Sequence, residues 1–186
     1  MHAYLILAHN EPDVLKRLIA SLDYPENAIY VHWDAKSGAL PAVSAVDAVL
    51  RFTSRQIDVR WADYSMVEAE LALFSEAYAN GPYEYYHLIS GVDLPLKSQD
   101  YIHAFCSEHT GAEFIGFASP TEKEIKWRTQ HYFIFTKDLR SGAAWKSALR
   151  KLFLALPCLH HCQQLQEVYL QLIQYRHRYI LLLLTL

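Results

Sequence analysis

Residues 85–98, which read YYHLISGVDLPLKS, decide the fold of this chain. The first five, residues 85–89, are a short run of aromatic and branched side chains that stops at turn residues, a pattern typical of a buried β-strand. Gly91 would let the backbone approach a ligand, Asp93 places a carboxylate just beyond the strand, and Ser98 can cap a following helix. In an open α/β sheet, ligands bind at this carboxyl end of the strands. An ordinary strand–turn–helix junction explains the same residues equally well.

Two further strands are predicted upstream, and each ends in polar residues. Residues 4–8 form a continuous apolar run, which is typical of a central parallel strand buried on both faces. A helix follows, with Asn10 as its predicted N-cap, and residues 29–32 form the second strand. Because Asp34 comes directly after that strand, its position favours ligand binding over a purely structural role. His9, after the first strand, fits a capping role as well as a ligand contact.

The segment between the second strand and residue 85 is predicted to contain a long helix. The weak pattern of residues 38–54 allows a short helix and a small strand, whereas residues 57–61 alternate apolar and polar side chains as a half-buried strand does. Residues 65–68 have the sequence of a capping box, in which serine and glutamate satisfy first-turn N–H groups. One face of the following helix is predicted to pack on the core, and it carries Val67, Leu71, Phe74 and Tyr78.

The rest of the chain continues this alternation and then becomes helical. A short helix over residues 98–106 and a strand over residues 113–117 complete the pattern, which predicts an α/β fold with a mostly parallel sheet and helices on both faces. Residues 122–128 form a mixed charge run that is typical of a solvated surface. Two helices are predicted near residues 143–156 and 159–179.

The composition excludes some classes of protein. Hydrophobic residues make up 52% of the 186 residues and the net charge is -3, so the chain can bury a core and is a poor partner for nucleic acid. Thirteen tyrosines, eight phenylalanines and four tryptophans supply rings for packing and for stacking on a base or a sugar.

Three cysteines without a secretory signal peptide predict free thiols and a cytoplasmic location. Cys158 and Cys162 flank two histidines, but a spacing of four without a second cysteine pair is unlike a zinc site. Residues 179–186 are apolar and too short to span a bilayer. They are expected either to make peripheral membrane contact or to pack on a core.

Four motifs in the chain resemble a known family. They are YLILAHN at residues 4–10, YPENAIYVHWDAKS at 24–37, VRWADYSMVEAEL at 59–71 and YYHLISGVDLPLKS at 85–98. In this order and spacing they resemble the core-2/I-branching glycosyltransferases, which include β-1,6-N-acetylglucosaminyltransferases and peptide O-xylosyltransferases. The resemblance is strong over residues 1–117 and loose over residues 126–150. Four motifs in register are more specific than any one of them.

The resemblance implies a GT-A type fold that binds a nucleotide-sugar at the carboxyl ends of the strands. It implies inverting transfer of N-acetylglucosamine or xylose from a UDP-sugar to a glycan or protein hydroxyl, with no metal and no other cofactor. Asp93 stands without the paired aspartates that hold a divalent cation, which agrees with metal-free donor binding. The family's uridine and ribose contacts, and the residues bordering the same cleft, carry over to Ala8, His9, Asp34, Lys36, Trp61, Ser90, Gly91 and Asp93.

The later part of the family pattern is not found in this sequence. Family members carry there a glutamate general base and basic residues that bind the diphosphate, and no stretch after Arg150 matches them, so no catalytic residue is assigned. An inverting transfer needs both groups. We therefore expect residues 1–118 to form a donor-binding α/β core. Residues 119–186 are expected to be a mostly helical, incomplete acceptor region of a truncated copy with little or no activity.

Two other functions stay open from the residues alone. A non-catalytic UDP-sugar-binding or interaction domain would share the donor-site motifs. A flavodoxin-like domain would require a glycine-rich phosphate loop after the first strand, where residues 8–12 read AHNEP. That sequence disfavours the flavodoxin-like alternative.

Overall fold

The computed structural model describes residues 1–60, 63–114, 123, 144–154 and 179–180. The chain divides into two compact units, residues 1–116 with 178–186, and residues 117–177. In the second unit the structure describes one helix, α4 (Ala144–Leu154), within the helix predicted near residues 143–156. The functional division after residue 118 stays a prediction.

The first unit is built on a parallel sheet of five strands. They are β1 (His2–Ala8), β2 (Asn27–Trp33), β3 (Val49–Phe52), β4 (Tyr85–Ser90) and β5 (Tyr179–Ile180). Their spatial order is β3-β2-β1-β4-β5, and every neighbouring pair is parallel. The chain therefore proceeds outward from β1 to β3 and then crosses back to β4 on the other side of β1. This reversal opens a crevice at the carboxyl ends of β1 and β4.

Three helices pack with these strands or extend from their ends: α1 (Pro12–Leu22), α2 (Ser65–Asn80) and α3 (Gln99–Glu108). Alternate residues of a strand point to opposite faces of a sheet. In β1, Tyr4 and Ile6 pack in one buried cluster with α1, whereas Ala3 and Leu5 pack in another with α2. The continuous apolar run of β1 thus fills two cores, and the predicted α/β fold with a parallel sheet is confirmed.

The sequence predicts the N-cap residue of α3 correctly and that of α1 incorrectly. Ser98 is the N-cap of α3, as predicted, and its Oγ accepts a hydrogen bond from the Tyr101 N–H at 3.3 Å. Asn10 is not the N-cap of α1, so that prediction is wrong. The cap is Glu11, which adopts a left-handed backbone with φ 51° and makes no side-chain capping bond, and Pro12 opens the helix.

Helix α2 buries a different face from the one predicted. Val67 and Leu71 are 42% and 44% exposed, and Tyr78 is 65% exposed, whereas Phe74 is half-buried and packs on the core as predicted. The buried stripe consists of Ser65, Ala69, Leu73 and Ala77, which recur every four residues. Small side chains let the helix approach the sheet closely, and this stripe supplies three of them.

The predicted capping box at the start of α2 is also wrong. Tyr64 is the N-cap residue, and Ser65 already lies inside the helix. The Ser65 Oγ accepts a hydrogen bond from the Arg60 N–H at 2.9 Å and donates one to Asp63 at 3.2 Å. The serine therefore ties the preceding loop to the helix instead of capping its first turn.

The strand predicted over residues 57–61 is wrong where the structure describes it, because residues 57–60 belong to a loop and not to a strand. The edge strand of the sheet is β3, within the segment for which a small strand was predicted. Residues 115–117 of the predicted strand at 113–117, and all but Tyr179 of the predicted helix at 159–179, lie outside the described residues. Among the helices that the structure describes, none is long and apolar enough to cross a membrane.

Candidate functional site

The candidate site lies where β1, β2 and β4 end together. In the sheet register Ala8 is opposite Trp33, and Leu7 is opposite Ser90. Hydrogen bonds continue past the strands, since the Asp34 N–H donates to the Ala8 carbonyl at 2.9 Å and the Gly91 N–H donates to the Leu7 carbonyl at 2.7 Å. Residues that are far apart in the sequence are therefore held at one edge.

Gly91 is in close contact with the end of β1. A Cβ atom at this position would lie 2.6 Å from the Ala8 Cβ and 3.0 Å from the Ala8 Cα, much closer than carbon atoms pack. The absence of a side chain at Gly91 therefore lets its backbone pack against Ala8. It brings the turn after β4 directly against the turn after β1.

Asp93 closes the turn that follows β4. Its Oδ2 accepts a hydrogen bond from the Ser90 N–H at 2.9 Å, and its own N–H donates to the Ser90 carbonyl at 3.1 Å. Both side chains are half-buried. One carboxylate oxygen of Asp93 is therefore used by the turn.

Asp34 organises the turn that follows β2. Its Oδ1 accepts a hydrogen bond from the Lys36 N–H at 2.9 Å and caps a short 3-10 turn, Ala35–Ser37. The Lys36 Nζ lies 3.5 Å from Asp34 Oδ2, and Asp34 is only 4% exposed. The carboxylate is thus fixed in place by its own chain before any ligand binds.

Lys36 lies in a small network of charges. Its Nζ is 3.3 Å from Asp58 Oδ1 and donates a hydrogen bond to the Val59 carbonyl. Arg60 Nη2 lies 3.0 Å from Asp58 Oδ2. Hydrogen bonds from Arg60 and Lys36 hold the pKa of Asp58 below its usual value. Two cations therefore face two carboxylates at this edge, and their charges largely offset each other.

His9 is exposed in the loop after β1, and its carbonyl accepts a hydrogen bond from the Ser37 hydroxyl. The loop after β1 is thus joined to the turn after β2. Trp61 lies outside the described residues, so its predicted stacking on the base stays a prediction.

Comparison with known proteins identifies the family. The sequence model of the Core-2/I-Branching enzyme matches residues 2–176. The chain belongs to this family. Its parallel sheet with flanking helices is consistent with the GT-A-like fold that the resemblance implies.

The curated relatives of this Core-2/I-branching chain include several mammalian enzymes. A human β-1,3-galactosyl-O-glycosyl-glycoprotein β-1,6-N-acetylglucosaminyltransferase is 25% identical over 147 residues, which is 75% of this chain and 34% of that protein. The enzyme of the same name from Bos taurus is 30% identical over 144 residues, covering 74% and 34% respectively. The human enzyme designated 3 is 24% identical over 143 residues, covering 73% and 32%. The chain spans about a third of the length of these relatives.

The structure assembles most of the predicted site residues of this Core-2/I-branching chain along one edge. Ala8, His9, Asp34, Lys36, Ser90, Gly91 and Asp93 all lie in or just after β1, β2 and β4. Their roles toward a ligand stay predictions. Sequence analysis missed Asp58 and Arg60, because the alternation of residues 57–61 was assigned to a strand. Lys36 lies between Asp34 and Asp58, and this arrangement is visible only in the folded structure.

His32 links β2 to the loop that carries Asp58. Its Nε2 accepts a hydrogen bond from the Ile57 N–H at 3.0 Å, so the ring is neutral in this arrangement. Burial lowers the pKa of His32, and the neighbouring carboxylate of Asp34 offsets only part of this effect. An unfolded histidine has a pKa near 6.5. Protonation of His32 would therefore oppose folding and break the link to Ile57.

We expect His32 to make stability fall as the pH decreases below about 6.5, because the unfolded chain then binds a proton that the folded chain does not. Each such proton lowers the free energy of unfolding by up to about 1.4 kcal/mol per pH unit. The full contribution is present above that pH. The measurement is urea unfolding at several pH values for the parent and for His32→Gln, whose amide oxygen reaches about as far as Nε2 and can still accept from the Ile57 N–H. The slope should be shallower in the variant, and equal slopes would contradict the assignment.

Proposed function

We propose that this chain provides the donor-binding part of an inverting glycosyltransferase that transfers N-acetylglucosamine from a UDP-sugar to a hydroxyl of a glycan acceptor. The observation that carries the proposal is the family match over residues 2–176. The names of the relatives favour N-acetylglucosamine over xylose as the sugar. The position of the assembled residues, at a topological switch point, is where α/β sheets bind nucleotides.

The charges at this edge suit a nucleoside better than a diphosphate. Lys36 is paired with Asp34 and Asp58, and Arg60 is paired with Asp58. A carboxylate fixed by backbone hydrogen bonds can accept from ribose hydroxyls or from a uracil N–H. We therefore assign Asp34 to the nucleoside and leave the catalytic base and the diphosphate ligands unassigned.

The donor is proposed to bind without a divalent cation. Asp93 offers a single carboxylate, and one of its oxygens already accepts the Ser90 N–H. Magnesium and calcium take several oxygen ligands, usually from more than one carboxylate or from substrate phosphates. Calorimetric titration of UDP should give the same Kd in EDTA as in excess manganese. A strict requirement for manganese would contradict metal-free binding.

Asp34→Asn is expected to weaken UDP binding about tenfold to a hundredfold, because the loss of a hydrogen bond to a charged group costs about 1.5–3 kcal/mol. The amide keeps an oxygen that can accept the Lys36 N–H, so the turn should persist. Asp13→Asn, in the first turn of α1, is the control and should bind like the parent. Trp61→Ala is expected to weaken binding as well, by loss of stacking. Unchanged UDP affinity in a folded Asp34→Asn protein would remove Asp34 from the site.

Transfer itself is tested separately from binding. The chain is incubated with UDP-N-acetylglucosamine or UDP-xylose and a core-1 glycan acceptor, and the released UDP is measured. Transfer of N-acetylglucosamine would support the full proposal. UDP binding without transfer is the result expected of a donor-binding part alone, and a non-catalytic UDP-sugar-binding domain would give it as well. Absence of UDP binding would contradict both.

A further inference from the structure

A buried cluster of metal-ligating side chains lies away from the candidate donor site. We call His2, His87 and Cys106 the His–Cys cluster. His2 opens β1, His87 is the third residue of β4, and Cys106 belongs to α3. One nitrogen or sulfur atom from each lies within 4.8 Å of the other two. All three side chains are at most 2% exposed.

The hydrogen bonds of the cluster are incomplete. The His87 Nε2 lies 3.1 Å from the His2 Nδ1, so one proton serves both nitrogens. If the His87 Nε2 donates this hydrogen bond, the His87 Nδ1 carries no proton and has a free lone pair. If the His2 Nδ1 donates it, the His87 Nδ1 carries the proton of its ring. In either case the His87 Nδ1 is buried with no hydrogen-bond partner in the described part of the chain. An unsatisfied buried polar atom is costly, and a bound ligand would change this arrangement.

The side chains around the cluster hold its rings in place. Tyr4 stacks on His87 with ring centroids 4.5 Å apart, and His103 stacks on His2 at 3.9 Å. Tyr4 is itself fixed by a hydrogen bond to Gln99 at 2.8 Å. Ligands whose orientation is already set lose little freedom when an ion binds.

The donor set fits zinc. Two imidazoles and a thiolate are its usual nitrogen and sulfur ligands, with bonds of about 2.0–2.1 Å to nitrogen and 2.3 Å to sulfur. Ligand atoms in a tetrahedral site are therefore about 3.3–3.7 Å apart, and those of the cluster lie within 4.8 Å of one another before any ion binds. Calcium and magnesium require oxygen ligands, which these three residues do not supply. These residues supply three of the four ligands of a tetrahedral zinc site.

We propose that the His–Cys cluster binds a zinc ion that joins β1, β4 and α3. Binding forms bonds from zinc to the lone pair of one nitrogen on each imidazole and to the Cys106 sulfur. Each neutral imidazole keeps its single proton on its other nitrogen, and the proton of the Cys106 thiol is released to solvent. The cluster lies toward the amino-terminal edge of the sheet, about 20 Å along β1 from Ala8 at 3.3 Å per residue. The ion is therefore structural, and metal-free binding of the donor would be unaffected.

The first test uses metal-free protein and cobalt as a spectroscopic substitute for zinc. We expect one equivalent of Co²⁺ to produce a thiolate-to-cobalt charge-transfer band and the strong visible bands of a tetrahedral site. Adding Zn²⁺ should bleach both, and saturating Zn²⁺ should raise the Tm of the parent. A parent protein that shows no thiolate band and no rise in Tm would overturn the proposal.

Two sets of variants locate the ion. Cys106→Ser, and Cys106→Ala as a second variant, should lose the charge-transfer band while keeping the far-UV circular dichroism of the parent. The double variant Cys158→Ser and Cys162→Ser, outside the described residues, is the control and should keep the band. If the band instead survives without Cys106 and disappears in the double variant, the ion is bound elsewhere and the His–Cys cluster is not its site.

Discussion

Leu73→Ala is expected to lower the free energy of unfolding by about 2–5 kcal/mol, the usual cost of removing a fully buried leucine side chain. Leu73 has no exposed surface and packs against Ala3 and Leu5 of β1 and Tyr30 of β2. The cavity would open between α2 and the centre of the sheet. Neighbouring strands restrict how far the helix can relax into it. Urea unfolding monitored by circular dichroism measures the change.

Leu71→Ala is the matched control, because it makes the same chemical change two residues away on the same helix. Leu71 is 44% exposed, so its truncation should alter stability by no more than about 0.5 kcal/mol. If α2 buried the face predicted from the sequence, Leu71→Ala would be more destabilising than Leu73→Ala. A larger loss for Leu71→Ala than for Leu73→Ala would therefore show that α2 is rotated relative to the structure described.

Gly91→Ala is expected to destabilise the protein by about 1–3 kcal/mol, as overpacking of a close contact does. The added methyl group would meet the Ala8 Cβ at 2.6 Å, and the Gly91 N–H is held by the Leu7 carbonyl. The turn after β4 must then move away from the end of β1. Because this junction borders the candidate donor site, UDP binding should weaken in the same variant.

Ala8→Gly introduced into Gly91→Ala tests the cause of that loss. Removing the methyl group of Ala8 eliminates the shortest contact, so the double variant should recover part of the stability lost in Gly91→Ala. Recovery is expected to be incomplete, since the new Cβ would still lie 3.0 Å from the residue-8 Cα and 3.3 Å from the Leu7 carbonyl oxygen. Residues in contact commonly show coupling energies of 0.5–3 kcal/mol in magnitude, roughly. Strictly additive effects would mean that another contact limits residue 91.

Several features of this protein could be predicted from the sequence because their cause is local. Residues 4–8 of β1 are apolar at every position, which is typical of a strand covered on both faces. Ser98 is followed by a helical pattern and caps it, since a serine oxygen reaches the N–H groups of its own first turn. The family motifs at residues 4–10, 24–37 and 85–98 each consist of one strand and the turns next to it. These features depend on neighbours within a few residues.

The buried face of α2 was decided by tertiary structure. The sequence pattern favours the face with the largest apolar side chains, including Val67 and Leu71, whereas the sheet accepts the face of Ser65, Ala69, Leu73 and Ala77. How closely a helix approaches a sheet depends on the side chains of both. Two of the strands that α2 covers, β1 and β2, lie more than 30 residues before it in the sequence, so the pattern of the helix alone does not show how closely it approaches them.

Strand pairing decided the edge of the sheet and both clusters of functional groups. Residues 57–60 alternate as a strand does, but the edge of β2 that they would need is already paired with β3. The Ile57 N–H donates instead to the His32 side chain. Lys36 lies beside Asp58, and His2 lies near His87 and Cys106. Both arrangements depend on the order of the parallel strands, which places distant segments next to each other. The sequence by itself determined the three central strands, β1, β2 and β4. Which side chains converge was determined by the order of those strands, because that order depends on contacts between distant parts of the chain.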